Sequence, residues 1–281
     1  MSEVEKSNQQ ISRLIKIMQQ LRDPKTGCPW DQKQSFTSIV PHTIEETYEV
    51  VEAILSGNML DVKDELGDLL FQIVFYAQLA QEQQQFDFED IAQTISDKLV
   101  RRHPHVFQRD VKGEVKGAVK AVAIKSEEQL NQQWENIKQQ ERQASGKPID
   151  DSTLANIPKG MTPLLRAQKI QKKCANVGFD WTELPPVVDK IHEEIQEVLA
   201  EINAPEPNQL AIEEEVGDLL FAVVNLARHS SVNAETALIK ANRKFEKRFR
   251  KVEQEIDSQG MNMHDASLQQ MEAAWQKIKK D

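Results

Sequence analysis

The chain has 281 residues, a formal net charge of -10 and a pI near 5.3, which suits one large or two modest domains and disfavours nucleic acid as a main partner, since phosphate backbones call for a basic face. Its start, MSEVEKSNQQISRLIK, is polar and no apolar run approaches the roughly 18 residues needed to cross a bilayer, so secretion and membrane spanning are disfavoured and a cytoplasmic setting is expected. Cys28 and Cys174 share no CxxC or metal-ligand spacing, and ten glycines amid abundant Gln, Glu, Lys, Leu and Ala predict an all-α fold with reduced thiols.

In chain order, five blocks appear and then appear again. GCPWD (27–31) matches GFDWT (178–182), and IEETYEVVEAI (44–54) matches HEEIQEVLAEI (192–202). ELGDLLFQIVFYAQLA (65–80) matches EVGDLLFAVVNLARHS (215–230), KLVRRHPHVF (98–107) falls on KFEKRFRKVE (244–253), and WENIK (134–138) on WQKIK (275–279). Their preserved order identifies a tandem duplication, with copies over residues 8–142 and 160–281 and a linker over 143–159. Segment 111–126, VKGEVKGAVKAVAIKS, has no counterpart in the second copy and reads as an irregular insertion.

Each copy predicts a bundle of about four helices. In the second, TPLLRAQKIQKKCANV starts behind Thr162 as a candidate N-cap with Pro163 in the first turn, and ends near Gly178. VVDKIHEEIQEVLAEI follows and is stopped by NAPEPN, whose prolines break helical hydrogen bonding. EEEVGDLLFAVVNLARHS is apolar around most of its circumference after Asp218, which predicts a central position. AETALIKANRKFEKRFRKVEQEI carries Leu238, Ala241, Phe245 and Phe249 with a basic face between them, and LQQMEAAWQKIKK closes the copy.

The chemistry sits in the acidic blocks. Helical residues three and four apart share a face, so Glu193, Glu194 and Glu197 project from one side of their helix, and Glu215 with Asp218 from one side of the next. If the two helices are antiparallel neighbours, four or five carboxylates meet, and burying them unpaired would cost several kcal/mol each. A multivalent cation removes that cost. No histidine follows these glutamates at the spacing of bundle di-iron sites, and an oxygen-only donor set suits a hard ion, Mg2+ first with Mn2+ as substitute. Mg2+ shares its coordination readily with phosphates, which points to a phosphate-bearing substrate. EExxE alone is common on solvated helix faces, and acidic residues in a first turn are favoured by the helix dipole. EExxE, a gap of 15 or 17 residues, then ExxD entering an apolar helix, twice in one chain, is far more specific.

With LRDPKTGCPWD, EETYEV, ELGDLLFQIVFYAQLA, RRHPHVF, RAQKIQKKCANVGFDW, EEEVGDLLF and KANRKFEKRFR, the chain closely resembles, over nearly its full length, the tandem MazG family of all-α nucleoside triphosphate pyrophosphohydrolases. The resemblance implies cleavage of ribo- and deoxyribonucleoside triphosphates between the α and β phosphates, a homodimeric bundle, and a role in limiting aberrant nucleotides or in starvation signalling. Carried over by position, it implies Glu194, Glu197, Glu215 and Asp218 as metal ligands. Glu193 is the candidate for orienting or deprotonating the attacking water. Lys190, Lys244 and Arg248 are candidate phosphate contacts, and Trp275 with Lys279 a candidate base and ribose contact.

The first copy keeps the acidic positions as Glu45, Glu46, Glu49, Glu65 and Asp68, a second candidate metal site. Its cationic shell differs. His42 stands where the second copy has Lys190, and Pro104 directly follows Lys98, Arg101, Arg102 and His103, shortening the basic helix; Trp134 and Lys138 match Trp275 and Lys279. Most of the activity is therefore expected in the second copy. A narrower hydrolase of dUTP or damaged nucleotides, and a non-catalytic helical regulatory module, stay open at this point.

Overall fold

The computed structural model describes residues 3–107, 133–134, 137, 140–141, 150 and 152–280. Every regular element among them is an α-helix, as expected from the composition. Segment 111–126 and Lys138 lie outside the described residues. The chain divides into two compact units, Met1–Lys147 and Pro148–Asp281.

In the first unit, α1 is Glu3–Leu21, α2 Pro29–Gln32, α3 Phe36–Ser56, α4 Met59–Glu82, α5 Phe88–Arg102 and α6 Pro104–Phe107. Short polar side chains set the starts by satisfying otherwise orphaned N–H groups. Ser35 and Ser38 form a capping box on α3, Asn58 accepts from Leu60 N at 3.0 Å on α4, and Asp87 with Asp90 caps α5. Gly57, at φ 81°, closes α3 in the left-handed region, where a Cβ would be strained. α4 is the hub, packed on α1, α3 and α5. The core joins Met18 of α1, Ile39 of α3 and Val74, Phe75 and Leu79 of α4. Arg22 pairs with Glu82 at 2.6 Å and covers the Phe75 ring from 5.5 Å. Pro104 does end the basic helix: α5 stops at Arg102 with His103 as its cap.

In the second unit, α7 is Pro163–Ala175, α8 Leu184–Ile202, α9 Gln209–His229, α10 Ala234–Ser258 and α11 Leu268–Lys280. α9 packs on α7, α8 and α10, and α10 also packs on α7 and α11. Two sequence expectations change here. Thr162 does not cap α7 with its side chain; its hydroxyl instead donates to Glu235 Oε2 at 2.6 Å, tying α7 to α10. α9 begins at Gln209, four residues before the acidic run, because Asn208 accepts from Leu210 N at 3.1 Å and caps the helix there. Glu213, Glu214 and Glu215 thus follow the first turn, so the helix dipole does not account for them. α9 is central as expected, packed on three neighbours, but its apolar circumference is covered only in part: Ala222 and Val224 are buried, whereas Leu220, Phe221 and Val223 are exposed within the chain.

No described helix is long and apolar enough to cross a membrane.

Candidate active site

α8 and α9 face each other, and their packing brings the acidic blocks together. Carboxylate oxygens of Glu194, Glu215 and Asp218 lie within 4.8 Å of one another. Glu194 is only 4% exposed. Its Oε1 accepts from Lys190 Nζ at 2.9 Å, while its Oε2 is buried with no hydrogen-bond partner. Lys190 also donates to Glu193 Oε1 at 2.8 Å, and these two hydrogen bonds hold its ammonium above the ordinary lysine range. Glu197 and Glu215 are pushed above the ordinary carboxylate range by desolvation first, then by neighbouring carboxylates. A buried anion with an orphaned oxygen, inside a repelling cluster, is a donor set that a hard cation fits.

The first unit repeats the motif with a different selection. Glu46, Glu49 and Glu65 are the oxygens within 4.8 Å there. Glu46 and Glu65 are raised, again chiefly by desolvation, with Asp68 and Glu49 adding repulsion. Where Lys190 bridges two carboxylates, His42 pairs with Glu45, at 3.2 Å. Arg101 and Arg102 both pair with Glu141 at 2.6 Å, and Trp134 donates to the Arg102 carbonyl.

A cavity of about 600 Å³ opens beside the second cluster. Lys190, Glu194 and Asp218 form part of its wall, continued by Gln171 and Cys174 of α7, Phe179, Asp180 and Trp181 of the following loop, and Phe221, Asn225 and Arg228 of α9. Of the residues expected to hold the nucleotide, Lys190 is thus at the cavity. Lys244, Arg248, Trp275 and Lys279 are not among its described lining. Trp275 packs 5.2 Å from the Phe245 ring and against the Val252, Ile256 and Ala274 cluster between α10 and α11.

The cavity has a polar clamp at one side. Arg228 donates to both carboxylate oxygens of Asp180, at 2.9 and 2.5 Å, and twice to Asn225 Oδ1, at 3.0 and 2.8 Å; His229 Nε2 lies 3.0 Å from Asp180 Oδ1. The Arg228 hydrogen bonds hold the Asp180 carboxyl below its ordinary value of 3.8. A depressed carboxylate stabilises the fold above that ordinary value and loses its contribution as pH falls through the lowered one. Asp180→Asn is therefore expected to cost about 1–3 kcal/mol at pH 7, with the melting difference from the parent chain closing below pH 3.8. A difference unchanged down to strong acid would remove Asp180 from this role.

Comparison of the two copies shows what differs at the place of this cavity. Aligning RLIKIM (13–18) with RAQKIQ (166–171) places Met18 on Gln171, and the repeat places Ile39, Val74, Phe75 and Leu79 on Val187, Val224, Asn225 and His229. Two positions of the first unit's core cluster, Met18 and Phe75, are therefore cavity-wall positions in the second unit, Gln171 and Asn225. Val187 and Val224 stay buried, but three large apolar side chains have become polar ones.

The MazG nucleotide pyrophosphohydrolase domain matches the chain twice, over residues 34–107 and 186–253. The chain belongs to the MazG family. It is 54% identical over 271 residues to the nucleoside triphosphate pyrophosphohydrolase of Escherichia coli strain K12, spanning 96% of this chain and 97% of that relative. It is 41% identical over 269 residues to the nucleoside triphosphate pyrophosphohydrolase/pyrophosphatase MazG of Thermotoga maritima, spanning 96% and 95%. Similarity also extends to the uncharacterized protein YabN of Bacillus subtilis strain 168, 37% identical over 270 residues, where the match takes 96% of this chain and 52% of the relative. The second MazG match contains Lys190, all five acidic positions, Lys244 and Arg248, while Gln171, Asp180 and Trp181 lie before it.

Those three are cavity residues to which the sequence pattern assigns no role. GFDWT stands out as a repeated block, and its Trp181 is the available signal for an aromatic at the cavity. Gln171 and Asn225 carry no local signal, since a single polar residue on an amphipathic helix reads as its solvated face.

Proposed function

We propose that the chain hydrolyses ribo- and deoxyribonucleoside triphosphates between the α and β phosphates, releasing nucleoside monophosphate and pyrophosphate, and does so chiefly in its second copy. The observation that carries this reading is the Glu194, Glu215 and Asp218 cluster, with its orphaned Glu194 oxygen, in the wall of a cavity shared with Lys190. The names of the relatives from E. coli and T. maritima support the same activity.

Glu194, Glu197, Glu215 and Asp218 would hold Mg2+, or Mn2+ in its place. When bound, the ion supplies charge neutralisation and orientation of the phosphate oxygens. Lys190 stands between Glu193 and Glu194 and can turn one of its three N–H donors to a phosphate oxygen without leaving the carboxylates. Glu193 is exposed, with its carboxylate oriented by Lys190, and is the group to hold the attacking water. Support for Lys244 and Arg248 as phosphate contacts rests on their spacing of four along α10; Trp275 and Lys279 share that spacing along α11 but are not among the cavity's described lining, and no contact with the base is assigned to them. Glu45, Glu46, Glu49, Glu65 and Asp68 form a second metal site without the accompanying cavity residues. The exposed Leu199, Leu210, Leu220 and Val223 on α8 and α9 support a homodimer that covers this face.

Product analysis with ATP and Mg2+ tests the reaction. AMP and pyrophosphate are the expected products, and ADP with phosphate would reject the reading.

A further inference from the structure

We infer that Gln171 reads the base of the bound nucleotide, with its Oε1 accepting a hydrogen bond from an N–H on the Watson–Crick edge. The inference rests on the second copy being a nucleoside triphosphate site and adds how that site recognises its substrate. Gln171 lies in the cavity wall and is 7% exposed. Its Nε2 donates to the Phe221 carbonyl at 2.8 Å, which fixes which end of the amide is oxygen. The Oε1 so oriented is buried and has no partner. A buried acceptor left unpaired is destabilising, and folded proteins rarely keep one without a use.

At this position packing accepts an apolar residue: the first unit has Met18 there, 1% exposed in an apolar core, and keeps its own buried glutamine, Gln72, at the position of Ala222. The neighbouring change is of the same kind. Phe75, 0% exposed, fills the first unit, and Asn225 stands in its place in the second. Two N–H groups of Arg228 occupy Asn225 Oδ1, so the Nδ2 donors face away from the guanidinium. Two core positions have thus been exchanged for one fixed acceptor and one fixed amide donor. Trp181, Ile170 and Phe221 supply apolar surface against which a base can lie.

This pair has a definite chemical reach. Adenine, guanine, cytosine, uracil and thymine each carry an N–H next to an acceptor on the Watson–Crick edge, so all five satisfy one acceptor and one donor. The subsite then accepts every common base and discriminates against a base with no N–H on that edge.

Purine riboside 5′-triphosphate is such a nucleotide, differing from ATP by loss of the exocyclic amino group. With the full chain and Mg2+, its kcat/KM is expected to be about ten- to a hundredfold below that of ATP, with the difference in KM. Gln171→Met, which installs the residue of the first copy, should lower kcat/KM for ATP by a similar factor and leave purine riboside triphosphate nearly unchanged, so that the preference collapses. Calorimetric affinities of a non-hydrolysable analogue of each should move in parallel. Equal handling of the two nucleotides by the parent chain, or equal slowing of both by Gln171→Met, would overturn the assignment. Absence of any ATP cleavage by the parent chain would overturn the hydrolase reading itself, a separate outcome.

Discussion

Glu194→Ala is expected to lower kcat/KM for ATP, followed by pyrophosphate release, by about a hundred- to a thousandfold, the scale on which losing one preorganised charge at a phosphoryl-type centre is felt. Glu46→Ala, at the matching position of the first copy, is expected to change it less than about threefold. Both glutamates belong to three-carboxylate clusters of similar span, so the cluster alone does not separate them. Their surroundings do. Glu194 is paired with Lys190 and stands in the wall of a cavity with polar residues beside it. At the matching place the first unit has the packed side chains of Met18 and Phe75. Equal losses in the two variants would sink the asymmetry.

Chelation should abolish turnover, and Mg2+ or Mn2+ should restore it. The same ions should raise the melting temperature, because Glu197 and Glu215 are held above the ordinary glutamate value of 4.5 by desolvation first and then by neighbouring carboxylates. Groups with raised folded values take up protons more readily in the folded state. Their repulsion therefore destabilises the metal-free protein at neutral pH and is relieved as pH falls. The metal-induced rise in melting temperature should be largest near pH 7 and should shrink toward pH 4.5. Undiminished turnover in chelator, or a melting temperature indifferent to Mg2+, would reject a cation in this cluster.

Much of the site is legible in the sequence because it is local. EExxE and ExxD lie on single helices, and the helical repeat alone puts their carboxylates on common faces. The preserved order of the five repeated blocks is enough to pair the two copies position by position. Helix starts are less legible. Asn208 and Thr162 are both good caps by type, yet only Asn208 caps, because the Thr162 hydroxyl finds Glu235 across the bundle. The role of Trp275 illustrates the same limit: helical spacing puts it near Lys279, and packing puts it against Phe245.

Residue type and short-range periodicity are sufficient for the helical class, the duplication, the acidic blocks and the oxygen-only donor chemistry. Tertiary packing settles which acidic residues converge, that Lys190 bridges two of them, and that the second copy is hollow where the first is filled. The first two follow from α8 packing on α9; the last involves Gln171, Asp180, Asn225 and Arg228 meeting from α7, a loop and α9. Residues brought together across the bundle share no spacing along the chain, so only packing can reveal that Met18 and Phe75 were exchanged for Gln171 and Asn225 at one place.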